Sequence, residues 1–386
     1  MSALKKTYYF SLAFLVFFMF SCSSPHSYKE INIGCILPFP NRGDSFGLEV
    51  KKALVLAVEE YNKTKLSNEP KVNLIVKNGK WSRSKKQIDD LYFDLKNNYK
   101  TDIIYLISNT GTSFLSDAFY HTNSQTILIN PLYQYGGIDG LHRNIFSISP
   151  LLVDTNNDIS NYIKKEKLKN VRIIQTRNDT WSQSSHSVQS LLAEEGITST
   201  IEVLSEKIYS DSIVQTKMYK DKSDAIVFFG NYSCYKMLKE LRKYDLSKPV
   251  FFGNNLIRFR GLDKDELVDL GNTKFTYFSP SDGNLSLAED FLKKYKTKYK
   301  EDSKLQWVAM QSYDAINIIL SKIKTINNGN IEIENFVPWL RGELYSLKKF
   351  KGVSGNISIT ESGGTTGISY SLYNITPNGE FIKSKD

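Results

Sequence analysis

From about residue 30 the chain alternates short apolar runs with longer stretches whose apolar residues recur every three or four positions. Ile31–Leu37 is an apolar run closed by Pro38, which predicts a buried strand. In Gly47–Asn62 the residues Val50, Ala53, Leu54, Ala57, Val58 and Tyr61 fall on one face of a helix. Val72–Val76 reads as a strand, and Ile88, Leu91, Tyr92, Leu95 and Tyr99 trace a second helical stripe. Ile103–Ile107 predicts a strand, Ser113–Tyr120 a short helix, and Ile127–Ile129 a strand stopped by Pro131. Strands alternating with helices of this length build βαβ units around a mainly parallel sheet.

A second series begins near Ile145. It predicts helix Asp158–Lys165, strand Val171–Gln175, helix Ser182–Glu195 closed by Gly196, strands Ile201–Leu204 and Ala225–Phe229, helix Ser233–Tyr244 and strand Val250–Phe252. Two long helices follow, one with Ala288, Phe291, Leu292, Tyr295 and Tyr299 on a face, the other from Leu305 to about Thr325. The tail changes character. Val353–Ile359, a Gly363-Gly364 turn, Ser369–Ile375 and Asn378-Gly379 read as an antiparallel meander.

The first 21 residues have a different pattern. Lys5 and Lys6 precede Tyr8–Phe20, a run of 13 residues broken only by Ser11. A spanning helix needs about 20 apolar residues, so 1–21 reads as a signal peptide rather than an anchor. The run ends in Met19-Phe20-Ser21-Cys22, which resembles a bacterial lipobox. That resemblance implies that Cys22 is acylated, becomes the new N-terminus and ties the protein to a bilayer. The alternative is an ordinary signal peptide with a chance cysteine. Residues 22–29 then form a polar tether.

Composition narrows the classes. The 386 residues suit two domains or so at roughly 100–200 each. Three cysteines are too few for a disulfide scaffold or a zinc cluster. Cys35 lies in a strand-like run and Cys234 opens a helix-like one, and both read as small buried hydrophobes. The net charge of +9 is spread along the chain. Lys85-Lys86 and Lys293–Lys300 read as solvated helix faces rather than a nucleic-acid stripe. There is no phosphate loop, dinucleotide fingerprint, H-E-x-x-H or C-x-x-C. Ser185-His186 are neighbours on a helix, which does not make a nucleophile and its base. No catalytic residue, metal site or cofactor is assigned, and the chain reads as not an enzyme.

The run Ile33-Gly34-Cys35-Ile36-Leu37-Pro38, leading through Phe46-Gly47 into a helix ending Ala57-Val58-Glu59-Glu60-Tyr61-Asn62, resembles the first βα unit of type I periplasmic binding proteins. The branch it resembles is that of the branched-chain amino acid and amide-binding lipoproteins of ABC importers. Asp102–Ser108 with its Thr/Ser-rich sequel, Ile129-Asn130-Pro131, Asp224–Gly230, Leu238–Tyr244, Pro249–Asn254, Tyr313-Asp314-Ala315 and Gly352-Val353-Ser354-Gly355 continue the likeness in order. The resemblance implies an α/β fold of two Rossmann-like lobes joined by three hinge crossovers. Lobe 1 is expected over 30–148 with 282–336, and lobe 2 over 149–281 with 345–386.

In such sheets ligands sit beyond the carboxyl ends of strands, where loops feed helix N-termini. The loop Ser108-Asn109-Thr110-Gly111-Thr112-Ser113 fits this. Ser108, Thr110, Thr112 and Ser113 are candidate contacts, with Gly111 letting a ligand approach the backbone. The bland reading is that Thr112 or Ser113 caps its own helix. Leu132 and Tyr133, after the Pro131 turn, form a candidate cleft wall or else pack on the neighbouring strand. By family position Trp181 and Tyr232 are candidate aromatic contacts in lobe 2. Amino-acid binders of the family place an acidic residue two after the Gly ending a lobe 2 strand, where it pairs the ligand ammonium. Here Gly253 is followed by Asn254 and Asn255, which suit a neutral amide, polyol or sugar-like ligand instead. Asp179 is a possible substitute for the missing acid.

Together these imply a monomeric, lipid-anchored solute-binding protein of the bacterial cell envelope, facing the periplasm or the cell exterior. It captures a small polar molecule, an amino acid, amide or similar, and delivers it to the membrane subunits of an ABC permease. An alternative from another class is an envelope protein that uses the same fold to regulate a cell-wall synthase or sensor.

Overall fold

The computed structural model describes residues 29–39, 46–80, 84–132, 140–150, 152–176, 179–204, 222–230, 232–243, 248–253, 264–280, 282–326 and 335–384. Cys22, Tyr133, Asn254, Asn255, the signal segment and the tether as far as 28 lie outside them, as do the side chains of Asp179 and Tyr232.

The first sheet is built from strands β1 (Glu30–Leu37), β2 (Lys71–Asn78), β3 (Ile103–Leu106), β4 (Ile127–Asn130) and β5 (Ile145–Ser147). They lie in the order β2-β1-β3-β4-β5, every pairing parallel. Successive side chains of a strand face opposite ways, and both faces are covered. Ile33, Cys35 and Leu37 point to α1 (Phe46–Thr64) and to the later helices α8 (Leu285–Tyr299) and α9 (Gln306–Ile323). Ile36, Ile104 and Leu128 point to α2 (Lys85–Tyr99) and α3 (Asn109–Thr122). This double covering is why the strands read as continuous apolar runs rather than alternating ones.

The second sheet repeats the design. Strands β6 (Asn170–Thr176), β7 (Thr198–Leu204), β8 (Ala225–Phe229), β9 (Val250–Phe252) and β10 (Thr273–Phe278) run parallel in the order β7-β6-β8-β9-β10. One face packs on α6 (Tyr232–Arg242), the other on α4 (Leu152–Lys165) and α5 (Asp179–Glu194). A single turn, α7 (Lys264–Val268), precedes β10. Cys35 and Cys234 are free and fully buried in different lobes, and burial pushes the Cys234 thiol up to about 12.

The tail divides between the lobes, which corrects the expected boundary. Helix α10 (Phe336–Tyr345) and a small antiparallel sheet of β11 (Phe350–Lys351), β12 (Gly355–Ile359) and β13 (Thr365–Ile368) share the lobe 1 core through Phe336, Leu340, Leu344, Ile357 and Ile359. Only β14 (Tyr370–Ile375) and β15 (Phe381–Lys383) cross over, extending the second sheet antiparallel beside β10. The stretch 345–386 is therefore not a lobe 2 segment as a whole. Residues up to Ile368 belong to lobe 1.

Three crossovers connect the lobes, after β5, after β10 and between β13 and β14; the end of β5 is bonded to the β12–β13 hairpin, and the second crossover to the third. Ser147 N donates to Gly363 O at 2.9 Å, and Thr365 Oγ1 to Ser147 O at 2.5 Å. Ser279 N donates to Ser369 O at 3.1 Å, and Ser369 Oγ to Ser279 O at 3.2 Å. Gly363 sits at φ +84°, and a Cβ there would lie 2.6 Å from Ile145 O, so glycine is required for this approach.

Candidate functional site between the lobes

The carboxyl end of β3 leads directly into α3. Ser108 is the N-cap, its Oγ accepting from Gly111 N at 2.9 Å, so the helix starts four residues earlier than its apolar stripe indicated. The first turn of any helix has N–H groups with no carbonyl inside the helix to bond. Ser108 takes that of Gly111, and those of Asn109 and Thr110 are presented at the mouth. They carry the partial positive charge of the helix end, a setting suited to a carboxylate.

The two loops of lobe 1 are joined by a side chain that sequence reasoning did not single out. Asn130 is fully buried at the end of β4. Its Nδ2 donates to Thr112 Oγ1 at 2.9 Å and to Ser108 O at 3.3 Å, while its Oδ1 accepts from Leu132 N at 2.9 Å. Thr112 Oγ1 in turn donates to Ser108 O at 2.8 Å. Asn130 thereby sets the α3 mouth against the Pro131 turn. An asparagine where an apolar strand meets a proline was the available signal.

The candidates separate on this geometry. Ser108 is half-buried at the mouth, Thr110 and Ser113 are exposed, and Leu132 is half-buried against the lobe 1 core. Thr112 is buried with its hydroxyl engaged by Ser108 and Asn130, which makes it a positioning residue. Gly111 does not open space for a ligand: a Cβ there would lie 2.9 Å from Ser108 Oγ and 3.2 Å from Ile88 Cδ1.

In lobe 2, Trp181 is 9% exposed and packs with Ile159, Val188, Leu192, Phe229 and Phe251. The structure places it in the lobe 2 core, not as a free-standing wall. Gly230 and Gly253 are required by packing: a Cβ at Gly230 would lie 2.8 Å from Thr176 Oγ1, and one at Gly253 2.5 Å from Phe229 Cδ1. His186 is exposed and bonds Ser182 of its own helix, whereas Ser185 is buried and donates to Gln175, so the two neighbours face apart.

A second feature lies away from the lobe junction. Asp314, on α9, is 1% exposed. Its carboxylate accepts from Val353 N at 2.8 Å, from Ser354 N at 2.6 Å and from Ser354 Oγ. Burial pushes this carboxyl up to about 6, against the lowering pull of those three donors. The two late motifs, Tyr313-Asp314-Ala315 and Gly352-Val353-Ser354-Gly355, are thus halves of one clasp holding the small sheet to lobe 1. A cavity of about 640 Å³ opens beside it between α1, α8, α9 and β11, lined among others by Glu60, Lys294, Tyr313, Asn317 and Lys351. Among the described residues no group of three or more His, Cys, Asp or Glu converges on a metal site.

Residues 30–380 match the family described as periplasmic binding protein. This chain belongs to that family. Its likeness to solved structures is one of fold. The branched-chain amino acid transporter substrate-binding protein of Streptococcus pneumoniae, in complex with isoleucine, is 20% identical with a TM-score of 0.71, over 92% of this chain and 100% of that one. A leucine-binding protein of Thermotoga maritima is 16% identical with a TM-score of 0.73, over 92% and 98%. A solute-binding protein of an ABC transporter from R. palustris, in complex with benzoate, is 14% identical with a TM-score of 0.71, over 92% and 95%. A search of curated proteins finds no match. Membership accounts for the two mainly parallel sheets and the extracytoplasmic character of a periplasmic binding protein.

Proposed function

We propose that this periplasmic binding protein is a lipid-anchored subunit of an ABC importer, held by acylated Cys22, that captures a small carboxylate-bearing molecule between its lobes and delivers it to the permease. The observation that carries the reading is the α3 mouth. There Asn130 and Ser108 hold a helix N-terminus at the carboxyl edge of the lobe 1 sheet. Isoleucine and benzoate, bound by two of the similar proteins, share a carboxylate and little else. In this reading the carboxylate meets the backbone N–H groups of α3, with Ser108, Thr110, Ser113 and Leu132 around it. Tyr133, Tyr232, Asn254 and Asn255 are the remaining proposed ligand contacts. The amide at Asn255 leaves a ligand ammonium without an acid at that place, which disfavours a plain amino acid because an unpaired buried ammonium is costly. The regulatory alternative draws no support from these likenesses.

A thermal-shift screen of the mature protein against amino acids, amides, aromatic acids, polyols and short peptides tests the capture. A ligand at 100 times its Kd adds about 2.7 kcal/mol of stability. If no carboxylate stabilises the protein while a neutral solute does, the α3 assignment is wrong; if nothing does, capture itself is. Cys22→Ser tests the anchor: the protein is expected to leave the membrane fraction, and retention with normal processing would refute acylation.

A further inference from the structure

The end of lobe 1 opposite the cleft carries a surface that ligand capture does not use. Three contacts set it up. Tyr61 Oη donates to Pro70 O at 2.9 Å, and Asn62 exchanges hydrogen bonds with Val72 at 2.7 and 3.0 Å, which brings the C-terminal end of α1 to the start of β2. Lys71 N donates to Lys29 O at 3.0 Å, so β1 and β2 begin level with each other. Asn32 Nδ2 donates to Tyr99 O at 2.8 Å, adding the end of α2. As a result Lys29, Lys63, Lys65, Lys71 and Lys100 lie along the amino edge of the sheet, with Leu66, 60% exposed, in the loop between α1 and β2.

This collar is short of acid. Among the described residues Lys29, Lys63, Lys65 and Lys100 have no carboxylate within salt-bridge distance, and Lys71 reaches Glu30 only at 3.8 Å. Glu69 is buried and turned inward, accepting from Leu66 N at 3.1 Å. Lys65 Nζ bonds the carbonyls of Leu66 and Glu69, which braces the loop that presents the leucine.

The chain leading from this edge decides the partner. Residues 22–28 span at most roughly 25 Å when fully extended, at about 3.5 Å each. An acyl chain on Cys22 therefore keeps Lys29, at the near end of the collar, within that distance of a bilayer. We propose that the amino edge of the lobe 1 sheet is a membrane-contact face, in which the lysines meet anionic lipid headgroups and Leu66 enters the interface. This rests on the anchoring at Cys22 proposed above. One acyl chain alone gives only marginal membrane binding, and a basic patch with an apolar tip is the kind of second signal that strengthens it. In that pose the carboxyl ends of the lobe 1 strands, and hence the α3 mouth, point away from the bilayer, so the anchored protein rests with its cleft open to solute.

The test uses the mature chain with Cys22→Ser, which removes the acyl group, and vesicles of phosphatidylcholine with or without phosphatidylglycerol. Co-sedimentation should rise with phosphatidylglycerol and fall with salt. Lys63→Gln with Lys100→Gln should weaken it roughly 25-fold, at about fivefold per lysine. Leu66→Ser should weaken it a further roughly tenfold. These side chains are exposed, so unchanged circular dichroism and an unchanged ligand thermal shift confirm that the fold and cleft are intact. Partitioning that ignores phosphatidylglycerol, or that the lysine pair leaves unaltered, overturns the proposal. Mass spectrometry of Cys22 in the wild-type protein separates the two readings. Acylated protein whose unacylated form ignores vesicles refutes the contact face alone, and vesicle binding with an unmodified Cys22 refutes the anchor alone.

Discussion

Replacing Asp314 with alanine removes the acceptor of three buried donors, and its cost should depend on pH in a defined direction. Two backbone N–H groups and one hydroxyl would be left without it, at about 1–3 kcal/mol each, or about 6 kcal/mol at the centre of that range. Against this stands relief from burying a charge. The carboxyl is raised from 3.8 to about 6 in the folded protein. At pH 7 the ionised side chain therefore opposes folding by about 3 kcal/mol, at 1.36 kcal/mol per unit. Asp314→Ala should thus lose about 3 kcal/mol at neutral pH. Because the folded value lies above the unfolded one, the native state binds the extra proton between the two, and wild-type stability falls as pH rises through that window. Between pH 4.5 and 7 this amounts to about 2 kcal/mol, which the variant lacks. The substitution should therefore cost about 2 kcal/mol more at pH 4.5 than at pH 7. Urea denaturation of both proteins at the two pH values, followed by circular dichroism, measures it, since the other titrating groups cancel. A cost that is equal at both pH values, or larger at neutral pH, would show that Asp314 is not held by a balance of burial and donors.

Gly352→Ala should damage the same clasp, because a Cβ there would lie 2.5 Å from Asp314 Oδ2; a loss of about 1–3 kcal/mol is expected, and a neutral result would mean the clasp can shift. Trp181→Ala should cost about 3–5 kcal/mol in denaturant through the cavity it leaves in the lobe 2 core, with affinity per folded molecule altered less; the reverse order would return Trp181 to the ligand site. Asn130→Ala should lower stability by about 2 kcal/mol as it orphans groups at the α3 mouth, and should weaken ligand binding more than Thr112→Val does; equal effects would deny Asn130 its positioning role. With a confirmed ligand at saturation, small-angle scattering should show a smaller radius of gyration as the lobes close about the three crossovers, and no change would argue against a hinge.

Most of the fold was legible in the residue pattern. β8 and β9 occupy the predicted limits, because fully apolar runs bounded by polar residues admit few alternatives. Helices α1, α2, α8 and α9 appear where their stripes lie, since each buries one face on a sheet. The ends of helices were less legible: α3 begins at Asn109 because Ser108 caps it, and the stripe of apolar residues starts only a turn later. Helix α10 was not predicted; its Pro338 falls in the first turn, where the absent N–H costs nothing. Strand β10 was missed because threonines at 273 and 276 interrupt its apolar residues.

What the sequence alone determined about this protein is the series of elements and, through their order, the two-lobed class, because periodicity is a local property of the chain. What only the tertiary structure decided is which distant segments share a core or a bond. The stretch from Phe350 to Ile368 carries the same kind of strand pattern as Tyr370–Ile375, but one packs under α9 and the other extends the second sheet. Nothing local distinguishes them; the clasp from Asp314 to Ser354, 40 residues apart, does. The site follows the same rule. The serine and threonines of the α3 loop were visible as candidates, but the division into Thr112 as support, Ser108 as cap and Asn130 as link depends on two loops from different strands meeting, a contact that exists only once the parallel sheet has formed.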